Sequence, residues 1–492
     1  METLQRTANR GSISTGYDID NSLKLEDDNT ENLYRNLNAS TSTTKFTISM
    51  WAKRTEIGDS YLLYLRGVAG NESVVLRFAT ESASYPEALQ VDIGAGGTNS
   101  RSYTKASFRD TSAWYHIVLA VDTTQSTATD RFKLYVNGVL ETEYAVRNNP
   151  AEDFAMEVSS AKHRHGAYND TDGFAGYCGY IAECHYIDGS QVAQTEFGEF
   201  DDDSGIWKPK AYSGSYGTGG YYLDFSDSSA LGNNSAGDGT DFTLNNITSA
   251  DQATDTPTNS FSNLEVGRNP AATFITFTEG NTKLTYAGST TAYDSDGSGI
   301  SNFRVNTSGK WYMEFSFAGD GDRAVVGVVS DQGANHAADT DYTRYIMYRG
   351  NDGHVIYNTN GTDVNVSGAG PTYDSPDIIG IALDCDNERV SFSKNGSWID
   401  GSGAGASNSS PTYYVDWTGH DFLTNSTGNG NCVFVCTNYV NNGTPVIESN
   451  FGGYTTNSIS SGNSDANGYG NFEYAPPTGY YALCTKNLAE YG

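Results

Sequence analysis

Short runs in which apolar and polar residues alternate recur along the whole chain. Residues 46–54, FTISMWAKR, set Phe46, Ile48 and Met50 against Thr47, Ser49 and Trp51, the period of two that sends successive strand side chains to opposite faces. SVVLRFAT (73–80) is a second strand-length run. AWYHIVLAVD (113–122) is apolar on both faces through Ile117, Val118, Leu119, Ala120 and Val121, which predicts an interior strand. RFKLYVNGVL then returns to alternation, with Phe132, Leu134 and Val136 on one face and Arg131, Lys133 and Tyr135 on the other. Its Asn137-Gly138 supplies the two positive-φ positions of a type I′ hairpin turn. GYIAECHYIDG (179–189) and GGYYLDFSD (219–227) complete this first group.

A second group begins with AATFITFTEG and GKWYMEFSF (309–317), where Trp311, Met313, Phe315 and Phe317 share a face. AVVGVVS (324–330), DIIGIALD (377–384), RVSFSKNG (389–396) and CVFVCTNYV (432–440) follow. Strand, Asn-Gly turn and strand are thus written twice, each time after an apolar strand that ends in aspartate, Asp122 and then Asp384. Residues 229–265 are poor in large apolar side chains and rich in turn formers, which predicts a linker. The expected organisation is an N-terminal arm (1–16), a first β-sandwich (17–228), the linker (229–265), a second β-sandwich (266–455) and a C-terminal extension (456–492). No sustained helical stripe interrupts these runs. The fold class expected is all-β, two antiparallel β-sandwiches in tandem.

Composition agrees: 34 tyrosines and 54 glycines suit short strands joined by tight turns. Sixty acidic residues against 29 basic ones give a net charge of −31. A surface so negative repels phosphate backbones and anionic lipid, which argues against nucleic-acid binding and membrane insertion. The opening METLQRTANRGSISTGYDID lacks the apolar core of a signal peptide, so synthesis in a cytoplasm without secretion is expected. The cysteines fit that expectation. Cys178 and Cys184, and Cys432 and Cys436, lie within strand-like segments, where a spacing of about 13 Å or more exceeds the reach of a bridge, about 7 Å. Free thiols are expected. His163 and His165 in KHRHG are read as solvated loop residues.

Several stretches carry resemblances. AWYHIVLAVDTTQSTATDRFKLYVNGVLET, with FTISMWAKR and FAGYCGYIAECHYIDG, resembles the laminin G-like, concanavalin A-type jelly rolls over about residues 17–228. GKWYMEFSF, VVGVVS, DIIGIALDCDNERVSFSKNGSWI and ESNFGG (448–453) resemble a SPRY domain, itself a concanavalin A-like sandwich, over about residues 266–455. YDIDNSLKLEDDN, the segment from FGEFDDDSGIWKPK to DFTLNNIT and APPTGYYALCTKNL look like structural proteins of tailed bacteriophages of marine and freshwater bacteria. The ending LAEYG departs from the short Pro-containing tail usual there. This resemblance implies a virion location and partners among other virion proteins, in multiple copies or as a homo-oligomer. It also implies a tail fibre or surface appendage that contacts a host glycan or protein. A capsid decoration protein without a receptor is the alternative, and a polysaccharide depolymerase a third.

Enzyme signatures are weak. A retaining glycosidase needs two carboxyls about 5–5.5 Å apart, yet no Glu-x-Asp-x-x-Glu run occurs, and Glu183 is distant in sequence from Asp188. His116 beside Trp114 opens a core strand and is read as a packed, hydrogen-bonded histidine, with no nucleophile elbow beside it. No catalytic residue is assigned and no cofactor is required. The laminin G-like resemblance leaves room for calcium at a sandwich edge. Asp294 and Asp296 in DSDGSG are the candidate ligands, although Val305 stands where an EF-hand has glutamate, and an ordinary turn is the simpler reading. For a glycan, which needs aromatic faces and planar hydrogen-bonding groups, the candidates are Tyr342, Arg344, Tyr345, Tyr348 and Arg349 in YTRYIMYRGNDG, with Trp398 and Trp417. A half-buried strand with snorkelling arginines competes with that reading.

Overall fold

A computed structural model describes residues 16–492 except 28–29, 68–71, 81–84, 95–100, 159–160, 169–175, 203, 237–238, 267–274, 287–297, 307, 320–323, 331–344, 359–362, 403–405, 419–430, 439–443 and 461. The chain divides into two compact units, Met1–Asn259 and Ser260–Gly492. Both are antiparallel β-sandwiches, as the alternation of the sequence leads one to expect, and of the jelly-roll, concanavalin A-like class that the resemblance implies.

The first unit begins with β1 (Ser22–Leu25), β2 (Asn32–Asn36), β3 (Lys45–Arg54), β4 (Ser60–Arg66), β5 (Glu72–Ala79), β6 (Ala88–Ile93), β7 (Arg101–Thr104) and β8 (Trp114–Asp122). It continues with β9 (Phe132–Val136), β10 (Val139–Leu140), β11 (Tyr144–Val146), β12 (Lys162–His165) and β13 (Gly179–Asp188). The short β14 (Gly198–Phe200), β15 (Trp207–Pro209), β16 (Tyr221–Leu223), β17 (Thr243–Asn245) and β18 (Gln252–Ala253) end it. One sheet has the order β10-β9-β8-β3-β13-β1-β18 with β16 on β13, and the other β11-β7-β6-β5-β4-β12-β2-β17. β8 is interior, as its two apolar faces require: Ile117, Leu119 and Val121 enter the core between the sheets, while Val118 packs outside it with Ile187 and Phe197. Each such buried aliphatic side chain contributes about 1.5–3 kcal/mol.

The second unit contains β19 (Leu264–Val266), β20 (Ile275–Thr278), β21 (Lys283–Tyr286), β22 (Gly299–Ser301), β23 (Lys310–Ala318), β24 (Ala324–Ser330), β25 (Tyr345–Arg349), β26 (Val355–Asn358) and β27 (Asp363–Val366). There follow β28 (Ile378–Asp384), β29 (Arg389–Lys394), β30 (Ser397–Ile399), β31 (Ala406–Asn408), β32 (Val415–Asp416), β33 (Cys432–Asn438), β34 (Val446–Asn450), β35 (Tyr481–Ala482) and a terminal helix α1 (Thr485–Tyr491). A seven-stranded sheet, β19-β22-β33-β24-β25-β26-β27, packs on a ten-stranded one, β20-β21-β34-β23-β28-β29-β30-β31, which also carries β32 and β35. In β23 the period of two holds: Trp311, Met313 and Phe315 enter the core, leaving Lys310, Tyr312 and Glu314 on the outer face.

Both Asn-Gly turns are type I′-like, with φ of 49° and 77° at Asn137 and Gly138 and 49° and 76° at Asn395 and Gly396. Each turn glycine lies under an aromatic ring supplied by a later segment. A Cβ at Gly138 would stand 2.2 Å from the Trp207 ring, and one at Gly396 would stand 2.4 Å from that of Tyr474.

Three expectations differ from what the structure shows. The stretch 229–265 is mostly part of the first unit: β17 pairs with β2, β18 pairs with β1, and Leu231, Phe242 and Ile247 join its core. A few apolar anchors among turn formers suffice to bind such a segment to a sheet edge. The extension after 456 is likewise packed, because Phe472, Tyr480, Ala482 and Cys484 cover Tyr312, Ala382 and Trp398 on the outer face of the ten-stranded sheet. Finally, His163 and His165 are buried on β12 rather than solvated. His163 Nε2 lies 3.3 Å from the Val158 carbonyl oxygen and His165 Nε2 2.9 Å from the Tyr221 hydroxyl, and these partners allow polar rings inside a sandwich.

Candidate functional site

The outer face of the ten-stranded sheet is only partly covered by the extension, and a cavity of about 520 Å³ opens where they meet. The start of β23 supplies Lys310 and the start of β29 supplies Arg389; Trp398 stands on β30, and the loop after β31 adds Ser409, Ser410, Pro411 and Tyr414. The extension completes the wall from Tyr474 through Pro476, Pro477 and Thr478 to Tyr480.

Asp384, at the end of β28, organises the basic side. Its buried Oδ2 accepts from Lys310 Nζ at 3.0 Å, Arg389 Nε at 3.2 Å and Asn387 Nδ2 at 2.8 Å, while Oδ1 accepts from the Asn387 backbone at 3.0 Å. Burial opposes its ionisation, but these bonds, led by those from Asn387 and Lys310, outweigh it and hold the carboxyl below the usual range. One anion therefore fixes two cations. The Arg389 guanidinium carbon lies 4.0 Å from the centroid of the Tyr414 ring and Lys310 Nζ 5.9 Å from that of Tyr480, distances at which a ring face attracts a cation.

Glu314 anchors the opposite wall from beneath. Its carboxylate accepts from the Tyr474 backbone at 2.8 Å, the Glu473 backbone at 3.0 Å and the Tyr312 hydroxyl at 2.9 Å. Burial pushes its pKa up to about 7 against the pull of those bonds.

Of the side chains expected to hold a glycan, only Trp398 among the described residues lines this cavity. Tyr348 is in the core, its hydroxyl bonded to the Pro371 carbonyl, and Trp417 is buried there too. Tyr345 packs on the outer face of the other sheet, where Arg349 pairs with Asp352 at Nε–Oδ1 2.9 Å. Tyr342 and Arg344 lie outside the described residues, as do Asp294 and Asp296. Lys310, Arg389, Tyr414, Tyr474 and Tyr480 come from four separated segments, so no local pattern marked them. The Asp that ends each apolar strand was the available signal.

The first unit holds two arrangements that resemble catalytic ones in outline. Ser49 Oγ lies 2.8 Å from His116 Nε2, and Trp207 Nε1 donates to His116 Nδ1 at 2.9 Å. Because Nδ1 accepts, the proton of the neutral ring is on Nε2, which donates to the serine. The ring cannot take the serine proton, and burial, with a smaller contribution from His185, lowers its pKa to about 3. Glu183 sits at φ 49° where the β13–β3 register shifts. It accepts from Tyr222 at 2.6 Å and Tyr17 at 2.9 Å, with His185 Nε2 at 3.5 Å. Its oxygens are thus occupied by phenols, and Asp188 is committed to the backbone N–H groups of Thr41 and Gly219 at 2.5 and 2.9 Å.

Glu26, Glu56 and Cys178 are the group among the described residues close enough to share a cation. Cys178 Sγ donates to Glu26 Oε1 at 3.0 Å, and burial keeps the thiol protonated. A thiol does not suit calcium, which takes oxygen ligands.

Two family models match the chain: Concanavalin A-like lectin/glucanases superfamily over residues 27–188 and SPRY domain over residues 310–415. The first unit is thus laminin G-like and the second SPRY-like, both folds of binding type. No curated protein matches the chain. The SPRY domain of human HERC1 is 16% identical, over 37% of this chain and 95% of that one, at a TM-score of 0.24. Mouse laminin alpha1 chain domains LG4-5 are 10% identical over 91% and 87%, with a TM-score of 0.28. The native heptameric SAP-like pentraxin from Limulus polyphemus is 12% identical over 36% and 80%, with a TM-score of 0.29. These scores add nothing to the fold, which rests on the sheet topology and the two family models. No helix among the described residues is long and apolar enough to cross a membrane.

Proposed function

We propose that the chain is a non-enzymatic structural protein of a bacteriophage particle, a tail fibre or surface appendage that contacts a glycan or protein on the host surface. The observation that carries the contact is the cavity of the second unit, with Trp398, Tyr414 and Tyr474 beside Lys310 and Arg389. Aromatic faces with fixed hydrogen-bond donors are what sugar or peptide recognition requires. The particle is supported by the sequence segments that look like structural proteins of tailed bacteriophages. Multiple copies on a particle would turn a weak single contact into firm attachment. Calcium at Asp294 and Asp296 is an optional addition to this reading, not a requirement of it.

The test is to locate the chain on particles by imaging and to ask whether purified protein blocks adsorption to host cells. A chain lying flush on the shell that does not compete would replace this reading with the architectural one. Shortened host glycans after incubation would favour the depolymerase.

A further inference from the structure

The cavity of the second unit departs in charge from the rest of the molecule. The chain carries 60 acidic and 29 basic residues, yet among the described residues the cavity is lined by Lys310 and Arg389 and by no acidic side chain. Asp384 beneath it is buried and balances one of the two cations, so the site keeps a net positive charge of one.

The donors also point to a ligand. Arg389 uses only Nε on Asp384, and its two Nη groups make no hydrogen bond within the described residues. A guanidinium edge presented in this way reads a planar carboxylate through two parallel N–H bonds. The hydroxyls of Ser409, Ser410, Thr478 and Tyr474, all on the cavity wall, likewise have no hydrogen-bond partner among the described residues. Ring surface from Trp398, Tyr414, Tyr480 and the prolines makes up the rest of the lining together with Gly396 and Ala475. The site thus offers one anion-reading edge, several hydroxyl partners and flat apolar faces. A volume of about 520 Å³ falls within the range of about 300–1,000 Å³ of small-molecule sites.

We propose that this cavity takes a carboxylated sugar, a uronic acid unit of an acidic polysaccharide, a proposal that rests on the reading of the chain as a glycan-contacting protein. The carboxylate sits on Arg389 and Lys310, the ring faces the aromatic wall, and the sugar hydroxyls meet Ser409, Ser410 and Thr478.

The experiment uses the full chain with D-glucuronate and D-galacturonate oligosaccharides, cellobiose as neutral control and a polyglutamate peptide, read by saturation-transfer NMR and calorimetry. Uronate should bind, more weakly as salt rises, and cellobiose should not. Arg389→Gln should weaken uronate binding at least about tenfold, the loss of a charged hydrogen bond. Because that variant also disturbs Asp384, Thr478→Trp, which fills the cavity from an exposed position, provides the second test and should abolish binding. Uronate that fails to bind, or binds equally well to Thr478→Trp, overturns the assignment, as does polyglutamate occupying the site in preference to uronate. If Thr478→Trp blocks host adsorption as well as the unaltered chain does, host attachment holds and this site assignment falls. If uronate binds in the cavity but the chain does not compete for adsorption, the site assignment stands and host attachment falls.

Discussion

Asn395 Oδ1 accepts the backbone N–H of Ile378 at 2.8 Å, and the Asn395 N–H donates back to the Ile378 carbonyl at 2.8 Å. Asn137 makes the same pair of bonds with His116 in the first unit, each at 2.8 Å. The turn asparagine therefore does two things: it tolerates positive φ and closes the open end of the neighbouring strand. Asn395→Ala should cost about 1–2 kcal/mol, since it strands a backbone donor and strains the turn. Asn395→Gly should cost less, because it loses the cap but keeps the conformation. Urea unfolding of the two variants separates the contributions.

Gly138→Ala should be worse than its φ alone predicts. A methyl there meets the Trp207 ring, and that ring's Nε1–H is the partner of His116 Nδ1. Tryptophan fluorescence should shift to the red as Trp207 is displaced towards water. Unchanged emission would show that the hairpin yields instead of the ring.

Acid should weaken the first unit. Burial is the leading cause of the low pKa, about 3, of His116, His163 and His165, against a reference of about 6.5. Between these values the unfolded chain binds protons that the folded chain excludes. Stability is therefore full above about pH 6.5 and is lost on acidification, with a slope of up to about 1.4 kcal/mol per pH unit for each ring. Proton uptake on unfolding at pH 5, measured by calorimetry in buffers of different ionisation enthalpy, checks the sign.

Glu314 in the second unit runs the other way. Its folded pKa of about 7 is raised from 4.5, so the folded state retains a proton that the unfolded state releases. The contribution is complete below pH 4.5 and disappears as pH rises through 7. Glu314→Gln should flatten this decline in a pH series of urea melts, while removing one acceptor from the Glu473 and Tyr474 backbone pair.

All six thiols are buried and free. Unfolding in urea without reductant should expose six to a thiol reagent. Four would locate a bridge, and Cys385 and Cys432, which share a hydrogen bond, would be the first pair to examine.

The strand faces were legible because alternation is a local property: Phe132, Leu134 and Val136 point inward as their spacing says. The Asn-Gly turns were legible for the same reason. What escaped is set by contacts distant in sequence. KHRH looks like a loop until Tyr186 and Tyr221 are seen against its histidines, and Trp417 looks like a surface aromatic until a core closes over it. Of the described members of the expected glycan set only Trp398 lines the cavity, whose other residues, Lys310 and Tyr474 among them, are brought to it from segments whose spacing no short motif encodes.

One wall of the cavity belongs to the segment that runs from Tyr474 to Tyr480 and then enters β35 and α1. Any occupant touches the sheet and this segment together, so filling the cavity and docking the chain's last turn of structure are linked equilibria. A molecule gripped there would act as a clasp, and amides near β35 would exchange with solvent more slowly for as long as it stayed.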